Sequence, residues 1–522
     1  MHMTTFVRGL GLVAALAVTG CKSLDITNPN QPDAIRALSD PSAIEAVAGG
    51  SVRIWFNTYE GLMAVGPLVT QAQTYSMSWN NFNVNAYASI DADGTRNSRS
   101  WQNSPTAAGR ASIEHFWDGY YSSLSLATNV LKAIRINALV INNPTDTKRT
   151  EAVALLMQGA SLSGIALNYD KGYIIDENTD LGALAYSNRK QIRDAAVTKF
   201  AEAATLANAN VFSIPAGWSG PGTTAYTNVQ IAKIANTMAA HLLASYPRDA
   251  AENALVPWAQ VVSLASNGIS SGTRFDYQFT GDGDAWWPEV LVWFGELDTG
   301  RLHTRVANLM DPGTQTTPWP LSGNPKPNSP DRRLGDGSFG NASTAASFGT
   351  YVKTANAGTD FAWSAAAIFN MARGSYHQSN IGHVRYDLSG TQDPTGMYNG
   401  FGPAPVFSAG QNDLLWAEGL IETNTNLALA ATLINNTRVT RGGLSATVAG
   451  DGATVLRTRL RYEQEVELLG LGAASYYHRR RVAGGLLVGT PREMPVPAKE
   501  LGVFGQALYT WGGATPNSPT PP

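Results

Sequence analysis

With 522 residues, the chain is long enough for two or three domains or one large fold, and 43% hydrophobic residues supply a sizeable core. Only 15% are charged, well below the roughly 25% usual in globular proteins; 51 glycines and many Asn, Ser and Thr provide uncharged polar surface instead, as suits an extracellular protein with long ordered loops. A net charge of −3 excludes the basic footprint that nucleic-acid binding needs.

Arg8 leads into an apolar run, Leu10 to Val18, followed by Thr19-Gly20-Cys21. The run is too short to span a bilayer and has the layout of a secretory signal. Val18-Thr19-Gly20-Cys21 resembles a bacterial lipobox, in which small residues precede a cysteine that is lipidated and becomes the mature N-terminus. Cys21 is the only cysteine in the chain, so it has no internal disulfide partner. The expectation is a signal peptide over residues 1–20 and a lipid-anchored body, 21–522, lying outside the bilayer. Two or three acyl chains satisfy the requirement for stable anchoring.

Beyond Cys21, Pro29 and Pro32 keep the leader extended. A first helix is predicted from Pro41, with Asp40 as its N-cap. From Tyr75 to Ala108, aromatic residues lie among Asn, Ser, Asp and Gly without periodicity, which predicts loop. Apolar residues at spacings of three and four then predict amphipathic helices over 115–137, 151–169, 189–208, 227–245 and 254–267, the last ended by Gly268. Alanine-rich helices in successive pairs point to tetratricopeptide-like packing, although the irregular spacing is not that of a clean repeat array. Residues 272–410 resist any regular reading, with prolines at 318, 320, 325, 327 and 330. Helices return over 412–422, 426–438 and 455–471. A helical frame about a long irregular segment fits recognition, where loops on a rigid scaffold carry specificity.

An enzyme reading has one foothold. Glu463 and Glu467 stand at i and i+4 on one predicted helix face, a possible carboxylate pair for glycoside hydrolysis. With Arg459 and Arg461 nearby, the same pattern describes a solvated or salt-bridged face, which is the reading adopted. The seven histidines show no HExxH spacing, and neither a zinc site, a catalytic centre nor a cofactor is expected. Asp91 and Asp93, and Asp282 and Asp284, place oxygens at alternate positions as calcium requires, but neither run continues into a full loop ending in Glu, so both are read as polar turns. A helical scaffold binding only proteins is the other alternative. It leaves Trp79, Trp101, Trp286, Trp287, Trp293 and Trp319, all in or beside irregular segments, without a purpose.

The C-terminal third carries a family resemblance. Leu414-Leu-Trp-Ala-Glu418-Gly-Leu-Ile421, followed by Ala430-Ala-Thr-Leu-Ile434-Asn-Asn-Thr-Arg438-Val-Thr-Arg441-Gly-Gly443-Leu444, resembles the "LRAEA…A…IN.VR…GL" pattern of the SusD/RagB family of nutrient-binding outer-membrane lipoproteins. Tyr462-Glu463-Gln-Glu-Val-Glu467-Leu-Leu469, His478-Arg-Arg480, Pro495-Val-Pro497-Ala-Lys-Glu500-Leu501 and Tyr509 resemble its "ER..EL…R…P.P..E" ending, and Phe116-Trp117-Asp-Gly-Tyr-Tyr121 with Asn129-Val-Leu131 its first helical pair. One departure is Gly470-Leu-Gly-Ala-Ala474, where the family has "EG.R". The resemblance covers nearly the whole mature chain.

The resemblance implies a single, mostly α-helical fold: tetratricopeptide-like pairs, about 41–270 with C-terminal helices about 411–475, framing a loop-rich ligand half, about 272–410. It also implies an outer-membrane, cell-surface lipoprotein without a catalytic centre. Such a protein captures a glycan, or in some members a peptide, for a SusC-like TonB-dependent transporter. The family's ligand face maps here to about 75–101 and 282–319, offering Trp79, Asn81, Trp286, Trp287 and Trp319. Indole rings in loops suit sugar faces, and Asn81 adds an amide that donates and accepts. Neighbouring residues on an extended backbone point to opposite sides, so only one of Trp286 and Trp287 is expected to face a ligand. Replacing Cys21 with Ser tests the anchor: the variant is expected to lose its partition into detergent with membranes, whereas labelled fatty acid still incorporated at its N-terminus would refute the lipobox.

Overall fold

A computed structural model describes residues 39–77, 81–84, 87, 100–222, 225–295, 300–317, 324–338, 354–363, 378–386 and 400–519. The fold is mostly α-helical, with strands confined to small two-stranded ladders. Helix α1 (Pro41–Tyr59) begins where the sequence predicts, with the Asp40 carboxylate accepting from the Ser42 N–H at 2.9 Å. After α2 (Leu62–Gln71), helix α3 (Arg110–Leu131) starts ahead of the predicted His115 and widens into a π turn over Lys132–Ile136.

Helix α4 (Pro144–Asn168) differs from its predicted amphipathic stripe, because every residue from Thr150 to Asn168 is buried. It packs against α1, α3, α5 (Arg189–Ala209) and α6 (Asn228–Ser245), leaving no face for water. Small residues permit this. A β-carbon at Gly159 would lie 2.8 Å from the Phe200 ring, and one at Gly164 would lie 2.4 Å from Tyr120. The helix is long and apolar enough to cross a membrane, but its apolar surface is consumed by its neighbours. Reciprocal capping boxes, Asn188 with Gln191 and Thr227 with Gln230, start α5 and α6. The helix predicted over 254–267 is shorter, α8 (Trp258–Ala265), because Pro257 disfavours helical backbone at Val256, and a separate short helix, α7 (Ala250–Asn253), precedes it.

The irregular segment contains α9 (Glu289–Gly295) and α10 (Thr304–Met310). It also contains an antiparallel ladder absent from the sequence reading: β4 (Tyr277–Asp282) pairs with β8 (Phe401–Phe407), Asp282 opposite Phe401. Pro403 and Pro405 hide β8 from a strand pattern, and a two-stranded ladder has free edges that accept them. Smaller ladders join β1 (Tyr75–Ser76) to β5 (Arg301–Leu302), β2 (Lys171–Gly172) to β3 (Ser187–Asn188), and β6 (Phe361–Trp363) to β7 (Ile381–His383). The row of helices then resumes: α8 packs on α11 (Ala409–Glu422), which packs on α12 (Leu427–Arg438) and α13 (Gly452–Glu467). The short helices α14 (Ala474–Arg480) and α15 (Ala498–Val503) follow.

A buried ionic cluster binds the irregular segment to these helices. The Arg333 guanidinium donates to Asp331, to Glu463 at 2.8 Å and to Glu467 at 2.7 Å, with no solvent exposure at Arg333, Asp331 or Glu463. Arg385 and Arg441 also donate to Glu467, Arg441 reaches Asp360, and Arg438 lies 3.7 Å from Glu463. Arg333, Arg385, Arg438 and Arg441 thus meet Asp331, Asp360, Glu463 and Glu467, four charges of each sign. Of the two expectations for this face, solvated or salt-bridged, the second holds, but the arginines are Arg333, Arg385, Arg438 and Arg441 in place of Arg459 and Arg461, and the face is buried. Helix α13 turns Glu463 and Glu467 inward, where Arg333 and Arg385 reach them from the irregular segment and Arg438 and Arg441 from the end of α12 and just beyond it. Burial alone would raise the Glu467 carboxyl, but Arg385, Arg441 and Arg333 outweigh it and hold it well below the usual carboxylate range. Removing one partner of such a network leaves uncompensated buried charge, so Arg333→Gln is expected to cost about 3–5 kcal/mol in a denaturant or thermal melt. A change below about 1 kcal/mol would show that the cluster does not hold the segment.

Candidate functional site

The loop after β4 is fixed at both ends. At its start, Asp282 Oδ1 accepts from the backbone N–H groups of Asp284 at 3.0 Å and Trp286 at 2.8 Å, which makes the Asp282–Asp284 pair a hydrogen-bonded polar turn. From α1, the Asn57 amide donates to the Ala285 carbonyl at 2.9 Å and accepts from the Trp287 N–H at 3.3 Å. At the far end, the Val290 N–H donates to the Glu60 carbonyl at 3.0 Å, and the Glu289 carboxylate accepts from the Leu62 N–H at 2.7 Å.

This framework separates the two tryptophans. The Trp286 ring turns inward, 7% exposed, stacked on Phe279 at 5.6 Å and tilted against Phe56 at 5.8 Å. A ring so covered belongs to the core and has no face for a ligand. Trp287 is half-buried, packed at the edge of the core, and lies over Gly400. A β-carbon at Gly400 would sit 2.5 Å from the indole, and φ is +65° there, so glycine serves both the contact and the backbone. Next to it at the strand end, Phe401 is 42% exposed.

The other predicted segment reaches the same neighbourhood. Its short turn Asn81–Asn83 places the Phe82 ring 6.1 Å from Trp293 of α9, and β1 pairs with β5. Among the predicted ligand residues, Asn81 is thus located by its backbone in this turn, while Trp79 and Trp319 lie outside the described residues, as do Cys21, Asp91 and Asp93. Trp101 is a core residue, its indole N–H donating to the Glu493 carbonyl at 2.8 Å. Sequence reading did not single out Asn57, Gly400 or Phe401. Asn57 is an ordinary polar position in a helix, and the only local signal for the others was the Gly400-Phe401-Gly402 run.

The charged residues of the family-like motifs serve the frame. Arg481 forms a two-pronged pair with Glu418 at 2.7 and 2.6 Å, and Arg479 pairs with Glu465. Arg480 donates to the carbonyls of Leu167, Ser245, Pro247 and Arg492, drawing α4, α6 and the C-terminal segment together. The departure at 470–474 is structural as well. Gly470 and Gly472 adopt φ of +73° and +50°, and β-carbons there would strike His383 and Tyr59.

No family model matches the sequence, and no curated protein does. Solved structures match over nearly their full length. A SusD superfamily protein from Parabacteroides distasonis superposes with a TM-score of 0.56 at 11% identity, covering 88% of this chain and 96% of that one. One from Bacteroides vulgatus gives 0.55 at 12%, covering 86% and 89%. A SusD-like carbohydrate binding protein from Bacteroides vulgatus gives 0.51 at 12%, covering 83% and 82%. The chain has the SusD-like fold. Within that SusD-like frame, the loop carrying Trp287 is held by groups of the α1–α2 junction, and one of them titrates abnormally.

Glu60 is fully buried, and burial raises its carboxyl well above the usual range, with Glu289 adding to the rise. The sign follows: a raised acid contributes its stability below its unfolded value of 4.5 and loses it as pH rises through the folded value. Glu60→Gln, permanently neutral, is therefore expected to gain Tm relative to the native protein as pH climbs from about 5 to about 8. A pH-independent difference would show that Glu60 is not held protonated.

Proposed function

We propose that this chain is a surface-exposed lipoprotein, anchored through Cys21 to the outer membrane, that binds an oligosaccharide on its loop-rich half and passes it to a SusC-like TonB-dependent transporter. The observation that carries this reading is the near full-length match to SusD-like structures, one of them described as carbohydrate binding. The site supports it. Trp287, half-buried at the edge of the core on a loop that Asn57, Glu60 and Leu62 hold in place, and the exposed Phe401 at the start of β8 offer aromatic faces. Rigid aromatic groups supply apolar area at low entropic cost, as sugar faces require. Trp79, Asn81 and Trp319 complete the proposed face.

The hydrolase alternative loses its foothold, because Glu463 and Glu467 are locked in ion pairs and sealed from solvent. The protein is therefore expected to bind glycan without turning it over, and release of reducing ends abolished by Glu463→Gln would refute this. Calorimetry against a panel of oligosaccharides tests the site. Trp287→Ala is expected to cost about 2 kcal/mol of binding, roughly thirtyfold, in a variant that still folds. Unchanged affinity in the folded variant would remove Trp287 from the site.

A further inference from the structure

The segments that meet at the proposed ligand face carry charge of one sign only. Over 275–300 the chain has six acidic residues, Asp276, Asp282, Asp284, Glu289, Glu296 and Asp298, and no Lys, Arg or His. The other described segments of the face, 75–77, 81–84 and 400–407, hold no charged residue. Arg274, just before the acidic run, is committed to Asp413 at 2.6 Å, and Arg301, just after it, is 2% exposed. Among the described residues, Asp276, Asp282, Asp284 and Glu289 have no cation within ion-pair distance.

Backbone groups occupy three of these four carboxylates. Asp276 accepts from the Ala409 N–H at 2.7 Å, Glu289 from the Leu62 N–H at 2.7 Å, and Asp282 from the N–H groups of Asp284 and Trp286. Asp284 differs: it is exposed, and its carboxylate has neither hydrogen bond nor ion pair among the described residues. Its position is nonetheless fixed. Its own N–H is held by Asp282 at 3.0 Å, and Asp282 stands opposite Phe401 in the β4–β8 ladder. Three residues further on, the Trp287 indole packs on Gly400, the chain neighbour of the exposed Phe401. One hydrogen-bonded turn thus sets a free carboxylate on the loop that carries Trp287, beside the strand end that bears Phe401.

That juxtaposition selects among ligands. A carboxylate has two acceptor oxygens and no donor, so it receives hydroxyl donors and disfavours the approach of other carboxylates and of sulfates. A cationic ligand would gain little from it, because an ion pair exposed to water contributes little. We propose, resting on the oligosaccharide reading above, that the face selects uncharged oligosaccharides over uronate- or sulfate-bearing ones, with Asp284 accepting from sugar hydroxyls next to Trp287 and Phe401.

Calorimetric titration of the intact protein with two pools tests this. One holds neutral malto-, xylo-, manno- and galacto-oligosaccharides; the other holds oligogalacturonates, oligomannuronates and chondroitin sulfate fragments. The neutral pool is expected to bind, and the acidic pool to bind at least about tenfold more weakly. Asp284→Ala is expected to weaken the neutral component that binds by roughly tenfold. Its Tm should not change, since the side chain has no partner to lose. Acidic glycans binding as tightly as neutral ones, or unchanged affinity in Asp284→Ala, would overturn the proposal while leaving the oligosaccharide reading in place. Chitosan oligosaccharides binding more tightly than any neutral component would do the same, assigning the carboxylate to a cation. Binding of neither pool would instead overturn the oligosaccharide reading, and this proposal with it.

Discussion

Arg333 is fully buried and touches three carboxylates, Asp331 from its own turn and Glu463 and Glu467 from α13. Its carbonyl accepts the N–H groups of Thr359, Asp360 and Phe361, so one residue clasps two stretches of irregular chain and a helix at once. Arg385 and Arg441 join it at Glu467. Irregular backbone builds no repeating apolar stripe, and here ion pairs add to its own turns and buried side chains in holding it. The desolvation of so many ions is tolerable only because every carboxylate meets a guanidinium at bonding distance, and the loss of any one is costly.

The helical frame supplies the other half of the constraint. Helix α4 is enclosed by four helices, and Arg480, buried without a carboxylate, satisfies itself on carbonyls from α4, α6 and the tail. Burial and the neighbouring Arg248 lower its guanidinium to about 9. The result is a rigid body on which the Asn57 amide and the Glu60 and Leu62 backbone groups occupy fixed positions. Those groups then set the loop that directs Trp286 into the core and leaves Trp287 half-buried at its edge.

Much of the frame was legible because helices announce themselves locally. Asp40 marks a helix start through short-range chemistry, and apolar spacing of three and four marks the faces. The misreadings share a cause. The burial of α4 on all sides depends on how neighbouring helices pack round it, and the inward turn of Glu463 and the β4–β8 ladder depend on partners more than a hundred residues away, such as Arg333 for Glu463. A carboxylate at i and i+4 looks the same in sequence whether it faces water or a distant arginine. At the candidate site, the alternation of Trp286 and Trp287 was readable from strand-like geometry, but which ring turned inward was decided by Phe56 and Phe279. The motif residues behind the family resemblance proved to be ion pairs and helix stitching, which explains how they mark a fold without naming a ligand.

The central claim is that a rigid, ion-pinned body presents a loop-rich face to an oligosaccharide. Hydrogen exchange of the intact protein, with and without a mixture of oligosaccharides, tests it most directly. Added glycan is predicted to slow exchange around 75–84, 284–295 and 400–402, with amides of α4 and α5 unchanged. Protection confined to the helical frame, or no protection by any glycan at saturating concentration, would contradict it.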